Sequence, residues 1–502
     1  MGAMSQFMLE IILIILAAIY LVALCVLAVY GVNFLYLTAI VLWQHPAKSQ
    51  ANPQQPMHNA PSVTVQLPIF NEMYVAERLI NAAAQLNYPT QKLHIQVLDD
   101  STDETARIIS AAVAHWQNRG VNISHVQRPQ RIGYKAGALA YGLTLTDSPF
   151  IAIFDADFLP PPDYLQHVMP HFTTNPTDKI AFVQARWGHL NRTSSLLSIL
   201  QAMGIDGHFA IEQQARSQRG HIFNFNGTAG VWRRAAIEDA GGWTADTLTE
   251  DLDLSYRAAL KGWRGVYLDQ VEVAAELPDH FAAFRRQQRR WAFGSFQTAR
   301  KLLPAVMASA LPLRHKSQAA LHLTAYTIQL WMALVSLLYL PLLLIISWVD
   351  VPAQVFNSTW LFNITAVAPI LMFMVAQMRR GRGWAALPRI FLLSGLGAGM
   401  MLNTCRAALQ LFSHQPHAFE RTPKSGAGFA ITHPTPHNQY TLGLDRIVFA
   451  ELAFALWNGL SLVLALQLGL WGVAFYAGLF AVGLAAVASA TIKQAWNKSN
   501  EN

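Results

Sequence analysis

Charge is scarce in this chain. Charged side chains make up 13% of the 502 residues and hydrophobic ones 53%, against roughly 25% charged in an average soluble domain. The deficit is uneven: apolar residues gather toward both ends, while acids and bases concentrate between about 48 and 315. A soluble domain set between membrane segments accounts for both facts. Cysteine is nearly absent, and Cys25 and Cys405 both lie in apolar surroundings, so neither a disulfide framework nor a zinc site is indicated. No G-x-G-x-x-G or G-x-x-x-x-G-K stretch occurs, which argues against a dinucleotide oxidoreductase and a P-loop enzyme. The net charge of +7 comes without a nucleic-acid motif. Its bases cluster beside predicted membrane ends (Arg285, Arg286, Arg289 and Arg290; Arg379, Arg380 and Arg382; Lys493 and Lys498), which suits anionic headgroups better than nucleic acid.

Long apolar runs set the domain plan. Residues 8–43 exceed the roughly 20 residues that a bilayer core needs, and Met1 to Gln6 carry no base, so this run reads as an anchor. With Lys48 as the first base after it, the following domain is expected in the cytoplasm; a hairpin of two short helices would reverse the N-terminus only. Residues 302–313 are short and carry Pro304 and Pro312, predicting an interfacial helix. Spans are expected over 318–348, 356–378, 446–466 and 469–492, with 389–406 interfacial or re-entrant. The plan is an anchor (1–47), a cytosolic domain (48–315), membrane helices (316–412), a polar cytosolic loop (413–445), then two spans and a tail (446–502). About five spans result. The membrane segments hold almost no charge apart from Glu10, Arg406 and Glu451, which counts against a transporter.

Within the soluble domain, short apolar runs end abruptly in polar or acidic residues. Ile151-Ala152-Ile153-Phe154 runs into Asp155-Ala156-Asp157. In a strand, side chains at i and i+2 share a face, so these carboxylates repel unless a cation sits between them. Mg²⁺ takes one or two protein carboxylates and completes its octahedron with water and substrate phosphates; solvated acids at a strand end give the same pattern. Val63-Thr64-Val65-Gln66-Leu67 reads as a strand with Asn71 just beyond it, followed by a helix over 73–86. A strand over 93–98 runs into Asp99-Asp100-Ser101-Thr102-Asp103 and a helix over 104–119. Such alternation predicts a parallel α/β sheet with helices on both faces, whose ligands bind beyond the carboxyl ends of the strands. Asn71, Asp99, Asp100, Asp155 and Asp157 are therefore expected to line one crevice.

Four further stretches each admit two readings. Arg131-Ile132-Gly133-Tyr134-Lys135-Ala136-Gly137-Ala138-Leu139 allows close backbone approach with Lys135 on a phosphate, or is a solvated helix start. Phe225-Asn226-Gly227-Thr228-Ala229-Gly230 lets a flat ligand pass the backbone, or is an ordinary glycine turn. Thr249-Glu250-Asp251-Leu252-Asp253 opens a helix running to Leu260. Its acids either complement the helix dipole or aim a carboxylate into the crevice, where it takes a proton from an attacking hydroxyl. Gln287-Gln288-Arg289-Arg290-Trp291 is an interfacial helix with an aromatic-belt Trp, or a diphosphate and sugar site.

The ordered set Asp99-Asp100, Asp155-x-Asp157, Thr249-Glu250-Asp251 and Gln287-x-x-Arg290-Trp291 resembles the membrane-embedded family-2 glycosyltransferases of the cellulose synthase superfamily. In detail it is most similar to the cellulose synthase-like mannan and glucan synthases, over roughly 62–305. Phe419-Glu420-Arg421-Thr422-Pro423-Lys424 resembles that superfamily's gating-loop motif Phe-x-Val-Thr-x-Lys, with Arg421 where Val is usual. The resemblance implies an α/β GT-A domain embedded between transmembrane helices, using a nucleotide-diphospho sugar such as GDP-mannose or UDP-glucose. By it, Asn71, Asp99, Asp100 and Lys135 bind the nucleotide sugar, and Asp155 and Asp157 hold its diphosphate with Mg²⁺ or Mn²⁺. Asp251 is the general base with Glu250 beside it, and Gln287 and Arg290 take the diphosphate. Trp291, Phe225, Asn226 and Gly227 meet the acceptor, while Phe419, Thr422 and Lys424 form the gating loop. The implied reaction is inverting elongation of a β-linked mannan, glucomannan or glucan at the plasma membrane, with the polymer passed outward and helper subunits compatible. The alternative is single transfer to a membrane lipid, as in ceramide glucosyltransferases.

Overall fold

A computed structural model describes residues 3–43, 60–175, 177–348, 359–413, 426 and 444–499. The expected gating-loop residues Phe419, Thr422 and Lys424 lie outside the described residues. The soluble domain is built on strands β1 (Val63–Ile69), β2 (Leu93–Asp99), β3 (Ile123–Gln127), β4 (Phe150–Ile153), β5 (Phe158–Leu159), β6 (Ile180–His189), β7 (Gly230–Arg233) and β8 (Arg264–Ala275). They form one sheet in the order β3-β2-β1-β4-β7-β6-β8-β5.

The first four strands of this order are parallel, as their helical crossovers require. The rest is mixed, which corrects the all-parallel expectation: β7 runs antiparallel to both β4 and β6, while β6 and β8 are parallel. The mixture has a geometric result. Strands β1, β2, β4, β6 and β8 all finish at one edge, and β7 begins there, with Gly230 paired to Ile153. The Asp155 turn, the Gly227 loop and the ends of β6 and β8 consequently meet.

Both faces of the sheet are covered. In β4, Phe150 and Ala152 pack on one side while Ile151 and Ile153 pack on the other, which explains an apolar run without alternation. Thr64 and Gln66 are buried on a face of β1, where Thr64 bonds to Thr146 and Ser148 and the Gln66 amide N–H donates to Gln96 at 3.1 Å. Trp232 on β7 is fully buried among Phe182, Phe225 and Trp243.

Five helical stretches among the described residues are long and apolar enough to cross a membrane: Phe7–Trp43, Thr327–Trp348, Gly383–Gln410, Ile447–Gln467 and Trp471–Trp496. The third contains the stretch expected to be interfacial or re-entrant. It is not one continuous helix: Leu387–Gly399 and Met401–Gln410 meet at Met400, and at this junction Gly399 lies against the backbone of Gly483, where any Cβ would collide. The expected span over 356–378 falls on the helix Thr359–Arg379, whose described apolar part is the shorter Val367–Arg379. Pro304 does not end its helix: Phe281–Ala308 continues through it, and Leu313–Leu323 follows as a separate helix.

Several bases assigned to headgroups are engaged by protein instead. Arg380 pairs with Asp269 at 2.7 Å and Arg382 with Asp206 at 3.0 Å, joining the end of helix Thr359–Arg379 to the sheet domain. Arg285 is buried against Glu451 at 2.8 Å.

Because Trp232 fills the space between the antiparallel strand and the helices covering it, Trp232→Ala is expected to destabilise the soluble domain by about 3–5 kcal/mol. A lowered thermal or denaturant midpoint in detergent checks this; an unchanged midpoint would contradict the packing role.

Candidate active site

A cleft of about 1360 Å³, part of it open to solvent, lies at the edge where these strands end. Seven carboxylates line it (Glu72, Asp100, Asp155, Asp157, Glu250, Asp251 and Glu276) with three cations (Arg131, Lys135 and Arg290). Two of the acids are neutralised from outside the cleft lining. Arg128 grips Asp100 through two hydrogen bonds of 2.7 and 2.6 Å, and Arg78 pairs with Glu276 at 2.8 Å.

Asp155 and Asp157 do not sit on a strand face. β4 ends at Ile153, and the two acids occupy the turn before β5, closed by the Phe158 N–H donating to the Asp155 carbonyl at 3.0 Å. The Asp155 N–H donates to Thr228 Oγ1 at 2.8 Å, tying this turn to the glycine loop. Both acids still line the cleft.

Lys135 stands at the centre. Its Nζ lies 2.5 Å from Asp155 Oδ1 and 3.7 Å from Glu250 Oε1, and it donates to the Gly227 carbonyl at 2.9 Å. Burial works against its charge, but Asp155, Glu250 and Asp251 outweigh that and raise its pKa. Asp155 is also pushed upward, first by burial and then by Asp157 and Glu250, with Lys135 pulling the other way. Arg290 is lowered from its ordinary value by burial, while Glu250, Asp155, Asp251 and Asp157 all oppose the shift. Four carboxylates thus surround two cations.

The helix Glu250–Leu260 carries three acids in its first turn, and the structure divides their labour. Asp253 is buried and bound by Arg257 and Lys301, both at 2.7 Å, so it is structural. Glu250 and Asp251 face the cleft. Asp251 is raised to about 7, chiefly by burial and next by the neighbouring Glu250, with Lys135 opposing. Across from it is Gly227 at φ +81°, where a Cβ would stand 3.1 Å from Asp251 Oδ2 and 3.4 Å from Lys135 Nζ. Only glycine combines that backbone with that approach.

Gln287, Arg290 and Trp291 are spaced i, i+3 and i+4 on the helix Phe281–Ala308, so one face presents all three to the cleft. Trp291 lies 6.4 Å from Trp187, centroid to centroid. Trp187 and His189, at the end of β6, were missed by sequence reasoning; their i, i+2 spacing at a strand end was the available signal. Burial pushes His189 down to about 4, so its ring is neutral, and among the described residues neither ring nitrogen has a partner.

Three expected site residues are not on the wall. Asp99 ends β2 pointing away from Asp100 and accepts hydrogen bonds from His125 at 2.8 Å, Gln127 and Ser101. Burial alone would raise its pKa, but these bonds outweigh it and hold it below the usual carboxylate range. Asn71, at φ +54°, accepts from the Thr102 N–H at 2.9 Å and so knits two loops at the rim. Phe225 is fully buried against Phe182 and Trp232. Asn226 does reach the cleft; it is held by His208 at 3.0 Å and by Gln213, which project from a wide π-helical turn. Within the stretch 413–445, the Gly426 N–H donates to Glu276 at 3.2 Å, which brings that residue against the cleft wall.

Hard carboxylate oxygens at Asp155 and Asp157, in a cleft with excess negative charge, fit Mg²⁺ or Mn²⁺. The mixed sheet, with its parallel α/β half, is that of a GT-A fold. Residues 60–294 match the family described as glycosyltransferase like family 2. A probable glucomannan 4-beta-mannosyltransferase (number 10) of Arabidopsis thaliana is 46% identical over 251 residues, covering 49% of this chain and 45% of that protein. Glucomannan 4-beta-mannosyltransferase 2 of Arabidopsis thaliana is 43% identical over 279 residues, covering 53% and 52%. Glucomannan 4-beta-mannosyltransferase 1 of Oryza sativa subsp. japonica is 45% identical over 251 residues, covering 49% and 48%. The chain spans about half the length of the curated relatives it matches. Among solved structures, the mannosyltransferase PcManGT from Pyrobaculum calidifontis, in complex with GDP-Man and Mn²⁺, shares the fold. Its TM-score is 0.51 at 20% identity, over 79% of this chain and 99% of that one.

A base that must be ionised loses activity as pH falls through its pKa. For a reaction in which Asp251, at about 7, takes the proton, kcat/KM is expected to be flat above that pH and to fall tenfold per unit well below it. A profile with its acid limb near pH 4 would contradict the burial of Asp251 beside Glu250. Gly227→Ala is expected to reduce turnover about 100-fold, because the new methyl displaces Asp251 or Lys135; turnover within a few-fold of normal would contradict the close approach.

Proposed function

We propose that the protein is an inverting β-mannosyltransferase that elongates a mannan or glucomannan from a nucleotide-diphospho sugar, with GDP-mannose the favoured donor. The observation that carries the reading is the shared cleft: Asp251 opposes the Asp155–Asp157 turn across Lys135 and Arg290. The acceptor hydroxyl gives its proton to an Asp251 carboxylate oxygen, its oxygen bonds to the anomeric carbon, and the bond to the diphosphate breaks on the opposite face. Lys135 and Arg290 stabilise charge growing on the departing diphosphate. A divalent cation held by Asp155 and Asp157 would add Lewis-acid neutralisation of that leaving group. The paired rings of Trp187 and Trp291 offer apolar faces to acceptor sugars, and the neutral His189 offers polar contacts.

The relatives named above are mannosyltransferases of glucomannan, which favours mannan over the glucan and glycolipid products also considered. The catalytic domain is read as cytosolic at the plasma membrane, with the stretch 413–445 as its gating loop. The Gly426 contact with Glu276 supports that placement.

Purified protein given radiolabelled GDP-mannose is expected to form high-mass product that a β-mannanase digests. Label appearing only in a solvent-extractable lipid, or only from UDP-glucose, would overturn the reading. Asp251→Asn is expected to abolish transfer while nucleotide affinity stays within about twofold, since the lost group acts in the chemical step; full turnover would remove Asp251 from the role of base.

A further inference from the structure

The helix Phe281–Ala308 delivers Gln287, Arg290 and Trp291 to the cleft, yet its first turns are fixed by the membrane helices. Arg285 and Glu451 are both essentially unexposed, with side-chain exposures of 2% and 0%. The guanidinium donates through two nitrogens to the two carboxylate oxygens, at 3.0 and 2.8 Å, and also to Thr491 Oγ1 at 2.9 Å. Asn403 Nδ2 donates to the Arg285 carbonyl at 3.1 Å, so the backbone is held as well as the side chain. Glu451, Thr491 and Asn403 belong to three different helices of the membrane part, Ile447–Gln467, Trp471–Ser499 and Met401–Gln410.

A carboxylate within a candidate membrane span is costly and demands a function. Stability is a weak one: a buried ion pair gains little over a well-packed apolar pair, because desolvation cancels most of its attraction. Direction is another matter. A planar guanidinium held at both ends by a carboxylate accepts little rotation. Arg285 lies two residues before Gln287 and five before Arg290, so turning the helix at Arg285 turns the cleft-facing set with it.

We infer that the Arg285–Glu451 pair is a positioning device that fixes the rotation of this helix and so aims Gln287, Arg290 and Trp291 at the reacting groups. The inference rests on the functional reading given above. Arg285 touches no substrate; it acts through the three residues downstream. The same pair ties the catalytic domain to the bundle that a growing chain would cross, so a movement of the membrane helices is felt at the diphosphate end of the cleft.

Removing one partner strands a buried charge and risks misfolding, so the decisive variant removes both. R285M/E451L replaces the pair by apolar side chains of similar length. Its expected behaviour in detergent is a near-normal melting midpoint, affinity for GDP or UDP within twofold of wild type, and a kcat for sugar transfer lower by about 10- to 100-fold. Restoring the charges in reversed order, R285E/E451R, is expected to recover part of that kcat. The conservative R285K, which keeps charge but loses the two-pronged geometry, is expected to fall between. The inference is overturned if the double apolar variant turns over at the wild-type rate. It is equally overturned if kcat losses across the variants follow only losses of folded protein and nucleotide affinity. Wild-type protein that binds neither nucleotide would instead sink the functional reading, and this inference with it.

Discussion

The cleft holds more negative charge than its own cations balance, and Lys135 is the group that makes this tolerable. With Arg290 it stands among Asp155, Asp157, Glu250 and Asp251, a formal excess of two negative charges in a partly desolvated space. Burial raises Asp251 most and the like charge of Glu250 adds to it, which together bring it to about 7, a value suited to a base working near neutrality. The same excess matches the charge of one divalent cation. A group that binds such a cleft only in the folded protein adds to its stability.

The sheet explains why these groups meet. Separate parts of the sequence contribute them: the turn after β4, the loop before β7, the start of the helix Glu250–Leu260, and one face of the helix Phe281–Ala308. The reversal of β7 relative to β4 is decisive, because it brings the chain entering β7 to the edge where β4 leaves. A parallel β7 would have sent Gly227 to the far side of the domain. Ion pairs at Arg285, Arg380 and Arg382 then set the helices of the membrane part against this edge.

Much of this was legible from residues alone, and what failed did so for local reasons. Asp155, Asp157, Glu250, Asp251, Gln287, Arg290 and Trp291 were all expected at the cleft, and all line it. Asp99 and Phe225 were not separable in sequence from neighbours that do line it. In each pair, Asp99 with Asp100 and Phe225 with Asn226, adjacent side chains go to opposite sides and only one reaches the cleft. Trp187 and His189 escaped notice because an apolar strand end carries no acidic flag. The bases near the membrane ends misled because a composition argument cannot tell a lipid phosphate from a buried aspartate, and Asp206, Asp269 and Glu451 lie far away in the chain. Sequence alone did not show that Gly399 packs against Gly483 at the junction of two helices, because that contact joins residues far apart in the chain.

The central claim is that these acids form one site for a nucleotide diphosphate with a divalent cation, and equilibrium binding of GDP with and without Mn²⁺ tests it most directly. Mn²⁺ is expected to tighten GDP binding to the wild-type protein by about tenfold or more, roughly 1.4 kcal/mol, and to lose that effect in Asp155→Ala/Asp157→Ala. Binding that is equally tight without metal, or a metal effect that survives the double substitution, would contradict the account.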